Sequence, residues 1–340
     1  MLSTSMNAAT LEKLLSAAIA APSMHNTQPW RFRFAPASMT VEIHAAPEQS
    51  LPQEDPHGRA LHLAAGSALF NLRVAVDHFG WTPVPRLLPE PGNPGVLAAV
   101  RITRNGGHGT LHDEGLYDAI WRRHSSRFPF SERHAPRSVL RELAEAAHTE
   151  GATLTLPDQS EISRLLRLTT EAERRNHRDP RRGAESRRAV RPADEDHGSA
   201  DTGIPPSAYG PQDGFEFLPM RDFSAEHHLE RLPSQPFERT PTIGVLRSSH
   251  DRRIDWLRSG QALQHVLLVA TARGLSTSLL HQAMEWPDLR ARLHAAGAPL
   301  DHVQMLVRLG YGPEGPSTPR RTARQLLDSD GEPGSPTRPA

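Results

Sequence analysis

The sequence predicts an α+β fold built from two copies of one unit, because three pairs of segments match in the same order along the chain. LEKLLSAA (11–18) aligns with LRELAEAA (140–147), GSALFNLRVAVDHFG (66–80) with GQALQHVLLVATARG (260–274), and AAVRI ending at Ile102 with MLVRL ending at Leu309. Apolar helices resemble one another, so any single match is weak; three in one order argue for a duplication.

The elements follow in turn. Leucine and alanine at helical spacing make 11–18 a plain amphipathic helix, which contains Lys13, the only lysine. PSMHNTQPW (22–30) then forms a loop before the strand-like RFRF. Residues 66–80 and 260–274 read as helices, with apolar residues three and four apart and a closing glycine where a left-handed C-cap is expected. A strand follows each. IWRRHSSRFPF (120–130) precedes the second copy, and 171–214 is a polar insert between that copy's elements. The insert's arginine-rich first part reads as an exposed helix, and Gly203–Gly210 is turn-rich, with Ile204 and Tyr209 as its large apolar residues. Pro313 to Ala340 is rich in Pro, Gly and Ser, and disorder is expected beyond its arginines.

Composition excludes several functions. The 340 residues carry 39 basic and 39 acidic side chains, so no global field draws the chain to nucleic acid or an anionic membrane. There is no cysteine, which removes disulfides, thiolate catalysis and iron–sulfur clusters. GxxxxGK[ST], GxSxG, HExxH and GxGxxG are all absent. Of the 19 histidines the best cluster, His227 with His228, lacks the i, i+4 spacing of a helical metal site, so no metal is expected. With no signal-like N-terminus and no apolar run of membrane-spanning length, a cytoplasmic protein is expected.

Two segments carry specific chemistry. In the loop, Asn26 and Gln28 offer amide donors and acceptors, Ser23 a hydroxyl, and Pro22 and Pro29 a fixed backbone, which suits a planar ligand with polar edges. An ordinary helix-to-strand connection with a buried Trp30 fits the same residues. In the second segment Arg123, Ser125 and Arg127 alternate, so in an extended chain they face one way and can surround a phosphate. A solvated basic turn is the other reading. Each segment exists in one copy only: the counterpart of the loop is HTEGATLTLPD, and that of the arginine segment is MLSTSMNAAT.

The PSxxNxQPW loop, the RHSxR element and the late Gly-Leu helix together resemble the nitroreductase family of flavin mononucleotide (FMN) enzymes, and the order of the halves resembles its duplicated Acg-type members from actinobacteria. The resemblance covers about residues 8 to 325. It implies a nitroreductase-like fold with a mainly antiparallel sheet in each half, flanked by helices, and Gly66–Gly80 and Gly260–Gly274 as central helices. Members of the family are homodimers that build each flavin site from both subunits. The two halves, 1–112 and 113–318, are therefore expected to imitate that dimer within a monomer and bind one FMN per chain, leaving 319–340 as a largely disordered tail.

Carried over by position, the resemblance places Arg123, His124, Ser125 and Arg127 at the phosphate and ribityl end, and Pro22, Ser23, Met24 and Asn26 along the ring, with Gln28 beside them. Leu280, His281 and Gln282 fall near flavin N5; His281 and Gln282 stand where some relatives have Glu-Gly. Arg320 and Arg321 resemble C-terminal basic residues that reach the phosphate, and also fit an exposed tail. The implied activity is reduction of an electrophilic acceptor, such as a nitroaromatic or quinone, at the expense of NAD(P)H. The chemistry belongs to the cofactor, so no catalytic side chain is named. The alternative is a flavin-sequestering or sensing protein, with GIPPSAYG (203–210) as a lid that bars turnover.

Overall fold

The structure, a computed structural model, describes residues 6–104, 115–188, 201–223, 233–294 and 301–328. It begins with α1 (Ala8–Ile19), where the Asn7 side chain accepts the Thr10 amide at 2.7 Å and so satisfies a donor the helix leaves unpaired. The chain turns through 22–28 into the hairpin of β1 (Trp30–Ala35) and β2 (Thr40–Ala45), then forms α2 (Arg59–His78), β3 (Thr82–Leu87) and β4 (Val96–Thr103). The second half contains α3 (Leu116–Arg122), α4 (Arg137–Thr149), β5 (Thr153–Thr155), α5 (Gln159–Arg178) and α6 (Pro180–Arg188). It continues with the short β6 (Gln212–Asp213) and β7 (Ser234–Gln235), then β8 (Thr242–Ser248), α7 (Arg253–Ala272), β9 (Ser276–Leu280), α8 (Pro287–Ala291), β10 (His302–Gly310) and α9 (Ala323–Leu326).

Both main sheets are antiparallel, ordered β1-β2-β4-β3 and β5-β8-β10-β9. The order is the same once the matched segments are overlaid, with α1 on α4, α2 on α7 and β4 on β10. Both closing glycines are left-handed, Gly80 at φ +81° and Gly274 at φ +73°, as the sequence predicts. The helices α2 and α7 lie against each other, buried on most of their circumference, in keeping with apolar residues spread around both helices. One apolar core runs through both halves, from Leu14 and Trp30 through Leu69 and Leu267 to Leu326.

Three expectations change. The boundary at 171 falls inside α5, and the arginine-rich segment, helical and with Arg174, Arg178, Arg181 and Arg188 exposed, is not exposed all round: Glu173, Asn176, Arg182 and Glu185 are buried and bonded to the body of the protein. The tail is folded as far as residue 328, where the Asp328 amide donates to the Phe32 carbonyl at 2.9 Å and α9 packs on α1. His227 and His228 lie outside the described residues. Among the described residues no helix is long and apolar enough to cross a membrane.

Candidate functional site

A cavity of about 770 Å³ opens between the 22–28 loop, α2, the 123–127 segment, residues 220–223 and the turn after β9. That is within the range of small-molecule sites. Its wall includes Pro22, Ser23, Met24, Ser125, Arg127, Leu280, His281 and Gln282 from the candidates above. Asn26, Gln28, Arg123, His124, Arg320 and Arg321 are not on that wall.

The loop is held in an unusual conformation. His25, Asn26 and Gln28 have φ of +51°, +57° and +52°, a region disfavoured for residues with a β-carbon. Its two amides supply the compensating bonds. Asn26 Nδ2 donates to the Gly203 carbonyl (3.0 Å) and the Pro319 carbonyl (2.8 Å), while its Oδ1 accepts from Arg320 Nη1 (2.7 Å). Gln28 Nε2 donates to the Asp201 carbonyl (2.7 Å), and its Oε1 accepts the Arg321 amide (2.9 Å). Both side chains thus fasten the loop to the insert and to the C-terminal segment, and neither turns an edge to the cavity. The Ser23 hydroxyl closes the loop by accepting the Gln28 amide at 2.9 Å.

The 123–127 segment divides where an extended chain would have kept its alternate residues on one face. Arg123 ends α3, which sends its guanidinium to the C-terminus of α1. There Arg123 Nη2 donates to the Ala20 carbonyl (3.4 Å), Arg320 Nε donates to the Ile19 carbonyl (3.1 Å), and Arg123 Nε is buried without a partner. Among the described residues no carboxylate oxygen lies within 4 Å of either guanidinium. Burial, then the field of Arg320, pushes Arg123 down to about 9; burial pushes Arg320 down to about 10. Burial and both arginines lower His124, with Glu314 acting the other way. Ser125 and Arg127 reach the cavity. Arg127 Nη1 donates to the Ala208 carbonyl (2.8 Å) and its guanidinium stands 4.9 Å over the Phe223 ring.

The third wall is backed by buried charges. Arg221 donates to Glu285 (2.6 Å) and Glu54 (3.3 Å), Glu54 pairs with His25, and His281 Nδ1 lies 2.9 Å from Glu285. Burial alone would raise Glu285, yet Arg221 and His281 hold its carboxyl well below the usual carboxylate range. Burial also lowers His281. Gln282 is fixed by donating to the Pro219 carbonyl (3.0 Å).

Sequence reasoning missed Glu54, Arg59, Arg221, Phe223 and Glu285, all on the cavity wall. Arg59 alone had a usable signal, since it opens α2 as Arg253 opens α7 at the matching position. The 203–210 segment touches both candidate elements: besides the bonds to Asn26 and Arg127, a β-carbon on Gly210 would lie 2.5 Å from the Arg127 carbonyl oxygen. Ile204, Ala208, Tyr209 and Phe223 form a small apolar cluster there. Among the described residues no group of three or more His, Asp or Glu is placed to hold a metal ion.

Comparison with known proteins shows what the chain as a whole resembles. A model described as the nitroreductase family matches residues 120–311. A protein of Mycobacterium tuberculosis H37Rv, provisionally named NAD(P)H nitroreductase Rv3131, is 31% identical over 330 residues, covering 95% of this chain and 92% of its own. Another from the same strain, provisionally named NAD(P)H nitroreductase acg, is 27% identical over 337 residues, with 94% of each chain covered. Among solved structures, the FMN and NADPH-dependent nitroreductase NfnB from sphigopyxis sp. strain HMH is 17% identical with a TM-score of 0.38, covering 64% of this chain and 99% of its own.

Proposed function

The chain belongs to the nitroreductase family, and on that premise we propose that it is an FMN-dependent oxidoreductase that takes electrons from NAD(P)H and passes them to a small electrophilic acceptor, a nitroaromatic or a quinone. The observation that carries the reading is the pair Arg123 and Arg320, a buried and a half-buried guanidinium at the end of α1 that donate to neutral oxygens only, carbonyls and the Thr318 hydroxyl, with Arg123 Nε left without a partner. Buried charges are strongly disfavoured unless a counterion completes them. A phosphate monoester matches that need.

The residues present fit the cofactor. Arg123 and Arg320, with His124 and Ser125, would hold the phosphate. Pro22, Ser23 and Met24 on one side and Leu280, His281 and Gln282 on another wall a space for the ring. Bound flavin supplies hydride transfer between donor and acceptor. Arg127 places a fixed cation on the cavity wall, favouring any ring system that carries negative charge. Asn26 and Gln28 position the loop, and Arg321 supports Gln28 through its backbone.

Because each element exists once, the reading gives one FMN per chain. It treats residues 1–112 and 113–318 as halves of an internal dimer in a monomeric protein, which the matching sheet orders and the shared core support. Purified chain loaded with FMN and freed of excess should retain one flavin, measured after denaturation, and Arg123→Ala should lose it. A wild-type chain that retains none would overturn the assignment.

The contacts of 203–210 with Asn26 and Arg127 favour a second reading, a lidded protein that sequesters or senses flavin. Steady NAD(P)H oxidation that depends on added quinone supports the oxidoreductase; flavin that stays oxidised under excess NAD(P)H supports the lid.

A further inference from the structure

Resting on the oxidoreductase reading, we propose that Arg59 anchors the anionic group of the acceptor, and that this acceptor is an aromatic carboxylate. Arg59 begins α2 and Arg253 begins α7, in the matched octets RALHLAAG (59–66) and RIDWLRSG (253–260), and both line the cavity. Arg59 is only 7% exposed. It is bonded through Nη1 alone, to the Gln304 carbonyl (2.8 Å) and the Gln304 side-chain oxygen (3.2 Å), and among the described residues no carboxylate oxygen lies within 4 Å of it.

The acids whose fields reach Arg59 are Asp55, Asp251 and Glu285, and each is engaged elsewhere. Asp55 accepts the Ala60 and Leu61 amides (3.0 and 2.9 Å), Asp251 accepts from Arg290 (2.6 and 2.8 Å), and Glu285 accepts from Arg221. Burial, then Arg290, pushes Arg59 down to about 10, so it remains a cation at neutral pH. Its Nε and Nη2 are left over, and that edge of a guanidinium takes a carboxylate in two parallel bonds.

The surroundings choose the rest of the molecule. Ala60, Leu63, Ala64 and Met305 give an apolar lining. Trp256 also lines the cavity, with its ring held by Nε1–H donation to Asp251 (2.5 Å) and by an edge contact with His62, centroids 5.5 Å apart. Apolar side chains and a fixed indole suit a flat aromatic body.

The test is calorimetric titration of the FMN-loaded full chain with benzoate and with benzamide, neither of which is reducible. Benzoate is expected to bind at least roughly tenfold more tightly, because a charge-assisted pair is lost in the amide. Arg59→Gln should abolish that preference, and Arg59→Lys should retain part of it. Equal affinity for the two compounds in the wild-type chain overturns the proposal without any variant. So does an equal loss of both in Arg59→Gln, or displacement of benzoate by inorganic phosphate at equal concentration, which would make Arg59 a site for the donor's phosphates. Flavin is quantified in the same samples. A flavin-loaded chain indifferent to benzoate removes Arg59 alone; a chain that never holds flavin removes the acceptor and the oxidoreductase together.

Discussion

Gly66 and Gly260 meet where α2 crosses α7: a β-carbon on Gly66 would lie 2.2 Å from the Leu257 carbonyl oxygen, and one on Gly260 would lie 2.1 Å from the Leu63 carbonyl oxygen. The contact is reciprocal, each carbonyl standing three residues before the opposite glycine. Because the obstruction is backbone in a packed core, Gly66→Ala and Gly260→Ala should each destabilise the chain by about 1–3 kcal/mol or more. Gly92, whose β-carbon would meet nothing within 4 Å, is the control. Urea midpoints check this: equal midpoints for Gly66→Ala and Gly92→Ala would remove the crossing as a determinant.

Arg123 should act in opposite directions on stability and on binding. As a buried cation without a counterion it opposes folding of the flavin-free chain, so Arg123→Met should leave the melting temperature of that form unchanged or raise it. The same change should weaken FMN binding by about 1.5–3 kcal/mol, the value of one charge-assisted bond to phosphate. Thermal melts with and without FMN test both signs. A lower melting temperature in the flavin-free form would show that Arg123 serves the fold.

His62 sets a pH dependence. Its Nδ1 lies 2.5 Å from the Gly58 carbonyl oxygen, and its Nε2 accepts from Arg253 Nε at 2.8 Å, so a second proton would face a guanidinium N–H. Burial, with Arg253 adding to it, pushes His62 down to about 4. The unfolded chain binds that proton near pH 6.5, before the folded chain does. Stability from this residue is therefore full above about pH 6.5 and falls away toward pH 4, by at most about 3 kcal/mol. His62→Gln should flatten the stability profile in that window; a profile parallel to wild type would exclude His62 as the source.

Asn26→Ala should loosen three segments at once. It removes the donor to the Gly203 and Pro319 carbonyls and the acceptor for Arg320, and each buried group left unpaired costs about 1–3 kcal/mol. It also leaves alanine at φ +57°, where asparagine is better tolerated. Limited proteolysis should open new cuts within 201–210 and 312–322, and flavin should dissociate faster. Unaltered cleavage would mean that packing, and not this amide, holds the segments.

The α+β fold with two sheets of one strand order was legible because its signal is local and repeated: glycine-bounded helices with the same Ala-Leu register, followed by strands that end alike. The loop and the arginine segment were legible as the unpaired parts of that repeat. The side-chain directions were not. Whether Asn26 faces a ligand or a carbonyl depends on Gly203 and Pro319, which are distant in sequence. Arg123 leaves the line of Ser125 and Arg127 because a helix ends there, an event no alternation pattern encodes. Arg221 and Glu285 were invisible for a related reason: a charged residue in a polar sequence looks solvated until the fold shows what covers it.

The bond between Asn26 and Arg320 joins positions 294 residues apart, and this has a consequence for biogenesis. At ribosomal rates of about 5–20 residues per second the loop would wait roughly 15–60 seconds for its brace. Until then the nascent chain carries a loop without its C-terminal brace, and the proposed phosphate site lacks its second arginine. Cofactor capture would thus await the synthesis of Arg320, and a chain truncated before Arg320 would stay colourless. The yellow of bound flavin would mark translation that had passed Arg320.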